Sequence, residues 1–198
     1  MKNVLLVGAA LAFSASVWAQ DKPSTATTPA KPDTTSAKSA SSTTAGADSA
    51  FVMKAVKGGM AEVELGKLAA EKASSDEVKK FGQRMADDHG KAGDELKSLA
   101  QSKNITVPTE LDAKDKALRD RLSKLSGAAF DREYMKAMVS DHRKDVNEFR
   151  TESRSGKDAD IKAWAAKTLP TLEEHLKHAT ETDRVVTTGS KAKTSANN

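Results

Sequence analysis

The 198-residue chain contains no cysteine. Disulfides, thiolate metal ligands and lipid attachment through an N-terminal cysteine are therefore excluded. It also lacks a second apolar stretch beyond residues 4–13, and that one is too short to cross a bilayer. Glycine and proline rarely interrupt the central part, and β-branched residues are few there, which leaves little to build strands from. Charge of one sign is missing where it would count. The whole chain carries +4, yet residues 48–186 hold 26 Lys+Arg and 26 Asp+Glu. The surplus lies at the two ends. Nucleic-acid binding asks for a basic patch on the folded part, so this composition argues against it. No nucleophile motif and no glycine-rich loop is present either, which ranks an enzyme last among the functional classes.

What is there begins with "MKNVLLVGAALAFSASVWAQ". Lys2 is a short positive start, residues 4–13 are apolar, and "SVWA" sets up a cut after Ala19. That pattern predicts a signal peptide over 1–19 and an exported, periplasmic protein without a transmembrane segment. Residues 20–47 are Ser, Thr, Ala, Pro and Lys with no large apolar side chain. Such a stretch cannot bury enough surface to offset its ordering entropy, so a disordered linker is expected, and the same for 187–198. Residues 48–186 remain as a single domain large enough for a core.

That domain is rich in Ala, Lys, Glu, Leu and Asp and is expected to be all-α. Stop signals divide it into a helix from Ser49 to the "ASS" at 73–75 and a second from Ser75, its N-cap, to the "NITVPT" at 104–109. A shorter helix over 110–124 capped by Thr109 follows, then a long one from 126–130 to 153–158. The last runs from Asp158 to Arg184 with a kink expected at Pro170. Short links make two antiparallel hairpins, and the long link carrying its own helix makes a crossover. This is the arrangement of a ferritin-like four-helix bundle. "AFVMKAV" at 50–56 and "AFDREYM" at 129–135 open the two hairpins, and "VKKFGQRM" and "IKAWAAKT" their second helices, a weak repeat that equates Phe81 with Trp164.

Helical wheels put one ionisable residue of each long helix on its apolar stripe: Glu62, His89, His142 and His175. Glu64 and His178 turn toward water. Counted from the hairpin turns, all four stripe residues fall near mid-height, where bundles hold cofactors and metals. Burying such groups without partners costs several kcal/mol, so they form a closed network or bind something. Two of the histidines end copies of one pattern, "MADDH" at 85–89 and "MVSDH" at 138–142. The methionine one turn back reads as core filling or as a thioether ligand for copper(I). Asp88 and Asp141, turned 100° away from the histidines, can hold helix contacts or orient a histidine from a neighbouring helix.

The stretches "GGMAEVELGKLAAEKASSDEVKKFGQRMADDH" (58–89), "FDREYMKAMVSDH" (130–142) and "TLPTLEEHLKHA" (168–179) resemble the exported bacterial family named Domain of Unknown Function 4142. The resemblance implies a ferritin-like bundle and no established activity, and it singles out Glu62, His89, His142 and His175. Residues three before the histidines are Ala86, Val139 and Leu172, so no Glu-x-x-His exists and a di-iron centre is argued against. Three readings stay open. One is a mononuclear zinc or copper site on the four residues. Another is a structural or stress-protective domain with a closed polar network, held near the envelope or a protein partner by its linker. The third is an enzyme using Glu62 and a histidine as acid and base.

Overall fold

A computed structural model describes residues 36–195, with side chains described from 46 to 188. The expected signal peptide, the first part of the expected linker and the last three residues lie outside the described residues. Five helices and no strand occur among the described residues: α1 (Ser36–Lys72), α2 (Asp76–Ser102), α3 (Ala113–Ser123), α4 (Gly127–Ser155) and α5 (Ala159–Ser195). None of them is long and apolar enough to cross a membrane. α1 begins well before Ser49 and α5 runs past Arg184, into stretches expected as linker and tail. No proline follows Pro32 until residue 108, so nothing stops a helix nucleated by its packed part from propagating backwards.

α1 pairs with α2 and α4 with α5; α1 also meets α4, α2 meets α5, and α3 lies against α1 and α4. Hydrogen bonds fix the directions. Asp48, near the start of the packed part of α1, accepts from the backbone amides of Lys157 (3.0 Å) and Asp158 (2.6 Å) in the α4–α5 turn. Asp131, at the start of α4, accepts from the amides of Ser74 and Ser75 in the α1–α2 turn, each at 3.0 Å, and from the Ser74 hydroxyl. Each hairpin thus clamps the turn of the other with one buried aspartate, and α1 runs antiparallel to α4. Lys103, just past α2, pairs with Asp158 and Asp160 at the start of α5, at 2.8 and 2.6 Å. Residues 103–126 must therefore return along the bundle to reach α4. The result is two antiparallel hairpins joined by a crossover with its own short helix, as the sequence predicts.

The caps differ from the expected ones. Ser75 stands at the N-cap of α2 but its side chain caps nothing; the buried Asp131 carboxylate takes the turn's amides instead. α3 begins three residues later than expected, at Ala113, because Asp112 rather than Thr109 caps it, accepting from the Asp115 amide at 3.0 Å. α5 continues through Pro170. Proline removes the donor to the Ala166 carbonyl, and both residues are exposed, so water can take that carbonyl.

The contact between α1 and α2 requires glycine at two positions. A Cβ on Gly66 would sit 2.5 Å from the Gly82 carbonyl oxygen, and one on Gly82 would sit 2.7 Å from that of Gly66. The α1 and α2 backbones touch there. Gly66→Ala is expected to destabilise by about 1–3 kcal/mol, as overpacking does. Gly58→Ala, where no atom lies within 4 Å of the added methyl, should instead gain a few tenths to about 1 kcal/mol from helix propensity. Urea melts of the two variants giving the same sign would contradict this packing.

Candidate metal centre

Two apolar clusters fill the bundle. One is built around Leu65, Phe81, Met85, Tyr134 and Met138, the other around Phe51, Leu96, Phe149, Trp164 and Leu172. Between them, each long helix contributes one polar side chain. Glu62 is 4 % exposed, His89 7 %, His142 0 % and His175 1 %. All four expected residues therefore come together as a polar layer across the core. His178 is exposed, as expected, and Glu64 reaches out to Arg119 of α3 at 3.0 Å. Met85 and Met138 belong to the first apolar cluster, which is the core-filling role.

The three imidazoles form a near-equilateral triangle, with ring centroids 5.4 Å (His89–His142), 5.3 Å (His89–His175) and 5.4 Å (His142–His175) apart. Each offers a ring nitrogen within 4.8 Å of those of the other two. One nitrogen of each ring faces an acceptor. His89 Nδ1 is 3.0 Å from Glu62 Oε2. His142 Nδ1 is 3.0 Å from the Met138 carbonyl and 3.3 Å from Glu62 Oε1. His175 Nε2 is 2.9 Å from Asp88 Oδ2. An acceptor opposite a ring nitrogen places the proton on that nitrogen. The lone pairs then fall on His89 Nε2, His142 Nε2 and His175 Nδ1, and these three buried atoms have no hydrogen-bond partner.

Glu62 stands on the protonated side of two rings and is not one of the groups within 4.8 Å of one another. Its Oε1 is also without a donor, since the His142 proton is aimed at Met138. Burial alone would raise its pKa, but the positive charge shared with His89 and His142 and the His89 hydrogen bond outweigh this and hold it at about 2. For His89 burial disfavours charge, and the Glu62 carboxylate overcomes it, raising the imidazole above its ordinary value. Burial wins at the other two rings: His142 is lowered and His175 falls to about 4 despite its bond to Asp88. Two imidazoles are thus held neutral at pH 7, while the third shares a proton with Glu62.

The two Met-x-x-Asp-His copies do different work with their aspartates. Asp88 orients His175 across the α2–α5 contact and also accepts from Arg84 Nε at 3.2 Å; Arg84 goes on to Glu174 at 2.9 Å. Asp141 pairs with Lys144 at 2.9 Å and touches no histidine. The sequence allowed either role for both and could not distinguish them. Asp145 of α4 lies partly buried near the layer. Desolvation, Glu62, Asp141 and Glu148 push its carboxyl up to about 9.

Three buried imidazoles, each with a ring nitrogen within 4.8 Å of one on each of the other two and each held by a carboxylate or carbonyl, form an arrangement able to hold a metal ion. No curated protein and no solved structure is significantly similar to the chain. Residues 33–182 match the sequence model of the family described as Domain of unknown function (DUF4142), and the chain belongs to that family.

Proposed function

We propose that this protein binds one transition-metal ion, zinc or copper, in the middle of its bundle. His89, His142 and His175 are the ligands. The observation that carries this reading is the set of three buried lone pairs, His89 Nε2, His142 Nε2 and His175 Nδ1, with nothing to accept from. A closed hydrogen-bond network, the competing reading, would have given these nitrogens donors. An ion would use all three, at the zinc–imidazole bond of about 2 Å. Neutral imidazoles suit zinc and copper alike. Glu62 compensates the ion's charge and fixes His89, and a water is available for the fourth position. The setting we propose is the periplasm, on the strength of the signal peptide read over residues 1–19.

Calorimetric titration of the full mature chain with Zn²⁺ and with Cu⁺ tests this. One equivalent is expected to bind with Kd well below about 0.1 mM and to raise Tm, because a ligand bound only to the native state stabilises by mass action. Below the raised pKa of His89 the ion must displace that imidazole's second proton, so binding should release a proton and strengthen with pH there and level off above it. His142→Ala should abolish it, and His178→Ala should leave it unchanged. Equal binding by the two variants, or no wild-type binding at this level, would refute the site.

A further inference from the structure

We propose that the Asp48–Glu152 carboxyl pair is a pH-operated latch, closed in mild acid and loosened in alkali, that fastens the start of the packed part of α1 to the α4–α5 turn. It does not depend on the metal site. Its parts come from two helices and the turn. Asp48 of α1, 4 % exposed, accepts from the backbone amides of both Lys157 and Asp158 through one oxygen, Oδ2. Glu152, in the last turn of α4 and 8 % exposed, hydrogen-bonds to the Asp48 side chain. Its carboxyl is folded back over the turn, with Oε1 against Gly156, where a Cβ would collide with it. No donor serves that buried oxygen.

Two carboxyl groups hydrogen-bond to each other only while one of them carries a proton. Asp48 Oδ2 already takes two N–H groups, so Asp48 is the acceptor and Glu152 the donor. The charges acting on Glu152 are Asp48 from α1 and Asp158 from the turn, both negative; burial and these two neighbours push its carboxyl above the ordinary 4.5. The lysines of this corner are engaged elsewhere. Lys103, just past α2, holds Asp158 and Asp160 at 2.8 and 2.6 Å. Lys54 of α1, in the same groove as Glu152, holds Glu148 at 3.2 Å. A carboxyl raised in the folded state contributes its full stability below its ordinary value and loses it as pH rises through the raised one. Above that point two buried carboxylates face each other, and the contact that joined the hairpins pushes them apart. α1 continues from Asp48 back to Ser36, so the latch governs how firmly the root of that segment is held to the bundle. The other clamp is built differently. Asp131 is faced by the Ser74 hydroxyl and two amides, donors that keep their hydrogens across this range.

Hydrogen exchange of the full mature chain without added metal, read amide by amide in NMR spectra and corrected for the intrinsic rate at each pH, tests the latch. Between about pH 4.5 and about pH 8 the protection of the Lys157 and Asp158 amides should fall about tenfold or more in wild type, while that of Ser74 and Ser75 holds. Glu152→Gln, whose side-chain amide donates to Asp48 at every pH, should keep the Lys157 and Asp158 amides at the wild type's acid level throughout. Carbon-13 titration of the Glu152 carboxyl should give a midpoint above the ordinary 4.5. The latch is overturned by a midpoint at or below that value, or by equal wild-type protection of Lys157 and Asp158 at both pH values. A fall shared by Ser74 and Ser75, or one as large in Glu152→Gln as in wild type, overturns it too, because the loosening would then come from elsewhere in the bundle.

Discussion

Replacing Glu62 with alanine should cost about 3–5 kcal/mol near pH 6 in the metal-free protein, the range found when one member of a buried ion pair is removed. The carboxylate is 4 % exposed and faces His89 Nδ1 at 3.0 Å. Without it the His89 N–H is left buried and unpaired, and desolvation is then opposed only by the Asp88 carboxylate. The pH dependence follows from the two shifts. Glu62 is depressed from 4.5 to about 2, so its contribution is present above 4.5 and is lost as pH falls through about 2. His89 is raised above 6.5, so its contribution is full below 6.5 and is lost as pH rises through the raised value. The gap between wild type and Glu62→Ala should therefore be widest between about pH 4.5 and 6.5 and narrow in alkali. Urea melts at pH 5.5 and pH 9 read this directly. A gap that is constant or grows with pH would mean that Glu62 and His89 do not share a proton in the folded state.

His142 and His175 work in the opposite direction. Their folded pKa values lie below the ordinary 6.5, so the unfolded chain takes up protons that the folded one refuses as pH falls below 6.5. The bundle without metal holds two imidazoles in a state that costs stability in acid and is suited to a cation. On the proposed reading, a bound ion would offset that cost.

The polar layer was legible in the sequence because helical periodicity reports which face of a helix is inward. Glu62, His89, His142 and His175 interrupt apolar stripes, and a stripe is buried wherever the helix packs. Periodicity carries no information about what stands opposite. Asp48 and Asp131 look like ordinary helix-start acids, and only the neighbouring hairpin turns them into clamps on the other hairpin's turn. Asp88 and Asp141 share a motif yet separate in their partners: Asp88 meets His175 of the adjacent helix, whereas Asp141 pairs with Lys144 of its own helix. Asp145 looks like any other helical acid, and its desolvation beside Glu62 depends on the packing of α1 against α4. The orientation of the rings, which decides whether three lone pairs meet, is likewise set by partners on other helices.

Because the layer divides the core, the largest purely apolar losses should come from the two aromatics on either side of it and should be independent. Phe81 is 3 % exposed and packs edge-on to Tyr134 at 6.3 Å and to His142 at 6.4 Å. Trp164, 9 % exposed, packs against Phe149 at 5.4 Å and Phe51 at 6.3 Å in the other cluster. Phe81→Ala and Trp164→Ala should each cost about 3–5 kcal/mol, the range for emptying a buried aromatic site. Both together would consume much of the stability of a domain this size, so independence is better read from the milder Phe81→Leu and Trp164→Phe. Sites without shared partners add within about 0.5 kcal/mol. Leu176 packs against both clusters and is the contact through which apolar strain could pass. Otherwise a signal from one half must cross the imidazole triangle. Additive losses in denaturant melts of the metal-free protein are expected, while a coupling above about 1 kcal/mol would show that the two halves are one core and that the histidine layer does not separate them. Loading the triad with metal joins all three imidazole-bearing helices to one ion, and Phe81 touches one of those imidazoles. Coupling between the two aromatics should therefore appear on metal addition and vanish again in His142→Ala.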